Sequence, residues 1–181
     1  MPFDHFSAIA PIYARATYSS LNTLRTLADL PARGRLLDVG GGTGRVASVV
    51  RDLVDEVVIA DVSMGMLKQT HRTTLQPVCA LSESLPFPSD SFERILMVDA
   101  FHHVIDQPST ADEMFRILKP GGRIIIEEPD IRTFGVKLIA LAEKLLFMRS
   151  HFLSPPQIAD LFKNAEIHTE ESSAWVVVTK G

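Results

Sequence analysis

The stretch Asp38-Val39-Gly40-Gly41-Gly42-Thr43-Gly44 constrains this chain more than any other. The apolar pair Leu36-Leu37 leads into it, and a helix-compatible run from Arg45 to Val50 follows. A strand, a tight turn and a helix start are expected in succession. Glycines let backbone approach a ligand closely and accept positive φ. The acid before them selects the kind of ligand. A turn built for a phosphate gathers amide donors and cations, and a carboxylate aimed at the same spot repels an anion. Asp38 at a strand end suits a ligand carrying an ammonium group, not a pyrophosphate. The plainer alternative is a strand-end acid that caps the next helix.

The same strand-then-helix alternation recurs along the chain. Arg35–Val39 reads as the first strand, Glu56–Ala60 as the second and Pro77–Leu81 as a weaker third. Arg94–Val98 reads as the fourth and Arg123–Glu127 as the fifth. These runs are apolar on both faces, as parallel strands covered by helices are. Between them, Ser109 and Asp112 read as a capping box, with Ala111, Met114, Phe115 and Leu118 at helical spacing. Lys119-Pro120-Gly121-Gly122 should stop that helix. Ser154 with Gln157 is a second capping box, and Pro155 stands at the favoured first position. Ile158, Leu161, Phe162 and Ala165 give the helix it opens an apolar face. Ile167–Ser172 and Ala174–Thr179 read as an antiparallel hairpin. Asp4 to Asp29 reads as one or two helices outside the repeat.

The pattern predicts one α/β domain over residues 1–181, with a mostly parallel sheet, an antiparallel C-terminal hairpin and helices on both faces. Residues 1–30 read as an N-terminal helical cap and 31–130 as the ligand-binding core. Residues 131–181 read as a lid helix, the last helix and the hairpin. Ligands of such sheets bind beyond the carboxyl ends of the strands, where Asp38, Asp61, Leu81-Ser82-Glu83, Asp99 and Glu127-Glu128 fall.

Bulk properties narrow the partners. The net charge of −4 gives no support for nucleic acid as the main one. The single Cys79 can form no internal disulfide and cannot alone hold zinc. His5, His71, His151 and His168 are scattered, and no metal is expected. No apolar run reaches the roughly twenty residues of a membrane span, and the N-terminus has no basic region. A cytoplasmic protein is the expectation.

Asp61 follows the second strand, 17 positions after Gly44. An acid there can accept from both ribose hydroxyls of an adenosine, a geometry shared with dinucleotide-binding proteins. Gly42-Thr43-Gly44-Arg45-Val46-Ala47 also fits the relaxed dinucleotide pattern, which does not separate NAD from other adenosine cofactors.

Several further segments stand in order: Ala60-Asp61-Val62-Ser63 with Met66-Leu67, Leu85-Pro86-Phe87-Pro88 with Ser91-Phe92, Phe101-His102-His103-Val104, and Arg116-Ile117-Leu118-Lys119-Pro120-Gly121-Gly122. With the glycine turn, they make the chain resemble the class I S-adenosylmethionine-dependent methyltransferases, of the small-molecule group that includes the ubiquinone/menaquinone enzymes (methyltransferase type 11). The resemblance implies a Rossmann-like doubly wound sheet. It implies S-adenosyl-L-methionine as cofactor and S-adenosyl-L-homocysteine as product. Asp38 and the loop of Gly40, Gly41, Gly42 and Gly44 would hold the methionine part, and Asp61 the ribose. Val62 and Met66 would pack on the adenine, with Leu81 and Ser82 at its edge. Val98 and Asp99 would lie under the cofactor near the methyl group. The family often has an acid where this chain has Leu81, so either Glu83 or a backbone carbonyl takes the adenine amine, or the amine faces water.

His102 and His103 follow the fourth strand and are candidate general bases. The plainer reading is that they shape the pocket floor. Phe134–Met148 is apolar over most of a helical circumference. It suits packing over the sheet and the site mouth, a lid over a greasy substrate, a dimer face or contact with a membrane surface. Phe134 and Leu138, with Tyr13 and Tyr18 opposite, are the expected substrate pocket. The expected function is methyl transfer to a small apolar or aromatic acceptor. A nicotinamide-binding protein and a non-catalytic S-adenosylmethionine-binding protein are the alternatives.

Overall fold

The computed structural model describes residues 20–70, 75–137, 150–170 and 173–181. Seven strands form one sheet: β1 (Arg35–Val39), β2 (Glu56–Asp61), β3 (Gln76–Cys79), β4 (Phe92–Val98), β5 (Leu118–Pro129), β6 (Ala165–Glu170) and β7 (Ser173–Thr179). The spatial order is β3-β2-β1-β4-β5-β7-β6. The first five pair in parallel, and β7 pairs antiparallel with both β5 and β6. Chain direction along the sheet reverses between β1 and β4, the place where such sheets open a crevice.

The inner strands β1, β2, β4, β5 and β7 are largely buried on both faces, as their apolar runs require, whereas the edge strands β3 and β6 are more exposed. Side chains alternate across a strand, so neighbours enter different cores. Leu37, Val39, Ile124, Ile126, Val176 and Val178 pack on one side with Met114, Ile117 and Ile158. Leu36, Ile125 and Trp175 pack on the other with Leu24, Val46 and Val50. The helices that cover these faces are α1 (Leu21–Leu27), α2 (Arg45–Val50), α3 (Met64–Leu67), α4 (Gln107–Ile117) and α5 (Pro155–Ala159). The guanidinium groups of Arg94 and Arg123 donate to carbonyls of Ala28 and Leu27 at the end of α1. Cations at a helix C-terminus satisfy carbonyls left without intrahelical donors.

Several boundaries differ from the sequence expectation, each for a local reason. The start of α4 lies two residues before Ser109, because Asp106 is the cap: its carboxylate accepts from the Ser109 amide and hydroxyl. Leu118 is not the last residue of that helix but the first of β5, where it pairs with Phe92. The expected helix stop at 119–122 therefore lies inside a long strand, with Gly121 at φ +76°. The third strand ends at Cys79, which leaves Leu81 and Ser82 in the following loop. The capping box of α5 is present, the Ser154 amide donating to Gln157 Oε1 at 2.9 Å. The helix is only five residues long, so Leu161 and Phe162 reach the core from the turn that follows it. The hairpin forms as expected. Most of the expected N-terminal helices and of the 134–148 helix lies outside the described residues, which retain α1 and a helical turn at 134–137. Among the described residues no helix is long and apolar enough to cross a membrane.

Trp175 is fully buried and its indole N–H has no partner among the described residues. An unmade buried hydrogen bond costs about 1–3 kcal/mol, which offsets part of the packing lost when indole is trimmed. Trp175→Phe is therefore expected to change stability by less than about 1.5 kcal/mol, whereas Ile125→Ala should cost about 2–5 kcal/mol. Urea unfolding followed by circular dichroism checks both.

Candidate active site

The carboxyl ends of β1, β2, β3 and β4 open into one cavity of about 340 Å³. The turn after β1 forms its floor. Gly40, Gly42 and Gly44 have φ of +69°, +55° and +82°, which side chains adopt only under strain. Gly41 is needed for a different reason. A Cβ there would lie 2.6 Å from the Asp38 carboxyl carbon and 2.9 Å from Ile59 Cγ2. The turn is therefore shaped to leave room for the acid.

Asp38 is 1% exposed and lines the cavity. Its Oδ2 has no hydrogen-bond partner among the described residues. Burial pushes its pKa up to about 7; the Ala47 amide and Arg45 oppose this, and Asp61 adds to it. A buried carboxylate oxygen without a donor is costly and waits for a cation. At the end of β2, Asp61 accepts from the Gly42 amide at 2.9 Å and from the Ser63 amide at 2.7 Å. Ser63 in turn caps α3 through Met66 N. One carboxylate thus joins the glycine turn to the next loop. Val62, Met66, Leu81 and Ser82 continue the wall.

Glu83 was one candidate acceptor for an adenine amine, and the structure gives it other partners. Its Oε1 accepts from the amides of Ile105 and Asp106, and its Oε2 from the Ser82 hydroxyl.

On the β4 side, Val98 and Asp99 lie on the wall. Asp99 has φ +54°, and its amide donates to Glu127 O at 2.8 Å. The following turn, Phe101–His103, is clamped by Glu128 from β5. Glu128 accepts from the amides of Ala100 (3.0 Å) and Phe101 (2.7 Å), and its Oε2 lies 2.5 Å from His102 Nδ1. Gln107 adds a donor to Phe101 O and another to His151 O. The two histidines therefore separate in role. His102 is 3% exposed, is stacked on Phe152 and does not line the cavity. His103 does line it, with Nδ1 3.3 Å from Ser150 Oγ. Burial, and secondarily the charge of His102, lower the His103 pKa to about 3.

The structure brings together most of the residues expected from sequence. Asp38, Gly40, Gly41, Gly42, Asp61, Val62, Met66, Leu81, Ser82, Val98, Asp99 and His103 share the cavity. Gly44 is not on the wall; it is the N-cap of α2. Phe134 is 77% exposed and also off the wall. Tyr13, Tyr18 and Leu138 lie outside the described residues. Thr43 lines the cavity too, as part of the expected Gly40–Gly44 loop, and Arg45 and Ile105 line it without having been expected. The place of Arg45 beside the glycine turn could have marked it, but nothing local marks Ile105.

Two titrations follow. The Asp38 pKa in the folded chain lies above the unfolded value, so the folded state holds a proton between pH 4 and about 7 that the unfolded chain has lost. Stability of the free protein is expected to fall as pH rises through that window. Asp38→Asn should then exceed the wild type at pH 8 by roughly 1–4 kcal/mol, read from urea midpoints at pH 5 and 8. His103 should stay neutral from pH 8 down to pH 5, giving flat imidazole shifts in a ¹³C–¹H NMR titration.

Comparison with known proteins agrees with this geometry. The model of a methyltransferase domain family matches residues 37–126. The ubiquinone/menaquinone biosynthesis C-methyltransferase UbiE of Coxiella burnetii is 38% identical over 105 residues, covering 52% of this chain and 42% of that protein. Its Proteus mirabilis counterpart is 37% identical over the same share. The match thus spans less than half the length of these relatives. A Thermotoga maritima S-adenosylmethionine-dependent methyltransferase superposes with TM-score 0.81 at 22% identity, over 97% of this chain and 98% of that one. A chain from the Haloferax volcanii complex of the Trm112 activator with a methyltransferase gives 0.79 at 17%, over all of both chains. Those two likenesses concern the fold. Residues 37–126 thus form a methyltransferase domain homologous to those C-methyltransferases, set within a seven-stranded sheet.

Proposed function

We propose that the chain transfers a methyl group from S-adenosyl-L-methionine to a small apolar or aromatic acceptor, leaving S-adenosyl-L-homocysteine. The observation that carries this reading is the buried Asp38 carboxyl group on the cavity wall at the glycine turn, with one oxygen that has no hydrogen-bond partner among the described residues. It fits the ammonium of an amino acid and would repel a diphosphate. When bound, the cofactor supplies a methyl carbon made electrophilic by the sulfonium charge.

The residues would divide the work as follows. Asp38 accepts from the ammonium. Asp61 accepts from ribose hydroxyls as well as from the amides of Gly42 and Ser63. Val62 and Met66 face the base, and Val98 and Asp99 underlie the reacting end. His103 serves as a neutral hydrogen-bond partner for the acceptor. With its pKa lowered to about 3, it is a poor base toward a phenol. Alignment and exclusion of water, rather than proton abstraction, then carry the rate. Ubiquinone/menaquinone C-methylation, the activity in the relatives' name, falls within this acceptor class. The substrate wall from Tyr13, Tyr18, Phe134 and Leu138, a dimer face or membrane-surface contact on the 134–148 segment, and a cytoplasmic location belong to the same reading.

Calorimetry with S-adenosylhomocysteine tests it. The wild type is expected to bind, and NADH to give no heat. Asp38→Ala should lose at least about thirtyfold in affinity, in the range for truncating one partner of a buried charge pair. Gly41→Ala and Gly42→Val should weaken binding as well, the first by displacing Asp38 and the second by straining a left-handed residue. Affinity should also fall below about pH 7, as Asp38 takes up its proton. Equal affinity in Asp38→Ala and Gly42→Val would overturn the cofactor assignment. Radiolabelled methyl counts on an added phenol or quinol would then establish transfer.

A further inference from the structure

We propose that, among the described residues, the site holds the purine base of its cofactor without recognising the exocyclic amine through a side chain, and that Leu81 makes it tolerant of change there. The proposal rests on the reading that an adenosine cofactor binds. Strand order sets the direction in which that ligand lies. The ends of β4, β1, β2 and β3 follow one another across the sheet. With the ammonium at Asp38 on β1 and the ribose at Asp61 on β2, the base extends over the end of β3, the edge strand.

The wall there is apolar and open. Val62, Leu81 and Ile105 line it and are 62%, 51% and 78% exposed. Among the described residues, Ser82 and Glu83 are the polar side chains beside Leu81 on this wall, and both are engaged within the protein. Glu83 accepts from two amides and from Ser82, joining the loop after β3 to the loop before α4. The Ser82 hydroxyl also pairs with Thr110 Oγ1 at 3.2 Å. Turning Glu83 toward a ligand would break those bonds and release the loops that form the wall. Residue 81 carries hydrocarbon where a carboxylate could have accepted from an amine. The two amine hydrogens of the base therefore point to water at the mouth. A donor that stays solvated neither gains nor loses much on binding.

The test uses the full chain in calorimetry with two probes. One is S-adenosylhomocysteine. The other is its 6-deamino analogue, in which hydrogen replaces the amine and the ring nitrogens remain. The wild type is expected to bind both within about twofold. Leu81→Asp, at a half-exposed position that tolerates charge, is expected to favour the amine-bearing probe by up to about tenfold, the upper value of one hydrogen bond. Tight binding of S-adenosylhomocysteine with a tenfold loss for the deamino analogue in the wild type would overturn this proposal and leave the cofactor reading standing. An unchanged ratio in Leu81→Asp would overturn the placement of the base against residue 81, and the proposal with it. No binding of S-adenosylhomocysteine to the wild type would overturn both.

Discussion

One buried carboxylate organises this molecule. Asp38 sits at the end of a central strand, 1% exposed, with one oxygen lacking a donor among the described residues. Folding alone would not retain such a group, since burial penalises its charge and leaves a lone pair unmet. The surroundings are nevertheless built to keep it. Gly41 has no side chain because any Cβ would strike the acid, and left-handed glycines on either side carry the chain around it. Stability lost at this point is the cost of a place where a cation can bind without first displacing a protein partner.

The rest of the cavity wall is held by carboxylates that act within the protein. Asp61 joins the glycine turn to the loop after β2, Glu83 joins the loops after β3 and before α4, and Glu128 clamps the turn after β4. Each accepts backbone amides at the end of a strand, where the sheet ladder stops and amides would otherwise lack partners. An acid beyond a strand can thus be a ligand group or a structural acceptor, and residue type does not distinguish them. The histidines after β4 show the same division. His102 turns inward to Glu128, while His103 meets the cavity and is kept neutral by burial.

The parallel strands were readable because each is a short apolar run bounded by turn residues, and burial on both faces demands that pattern. Their register with one another was not. Element ends were misread where a neighbour overrides local preference: Leu118 continues the spacing of α4, yet pairing with Phe92 draws it into β5. Asp106 displaced Ser109 as a cap because its side chain reaches the Ser109 amide, and both residues are acceptable cap types.

The amino-acid sequence alone determined that a strand, a left-handed turn and a helix follow one another around an acid, because glycine adopts that turn without strain. It also determined the alternation that yields a mostly parallel sheet. Tertiary structure decided which acids hold the loops, which histidine meets the cavity, and that Val62, Leu81 and Ile105 share one wall with Ser82 and Glu83, whose side chains already have partners. Those choices depend on contacts between residues twenty or more positions apart, as between Glu83 and Ile105 or Glu128 and His102, and local spacing carries no record of such contacts.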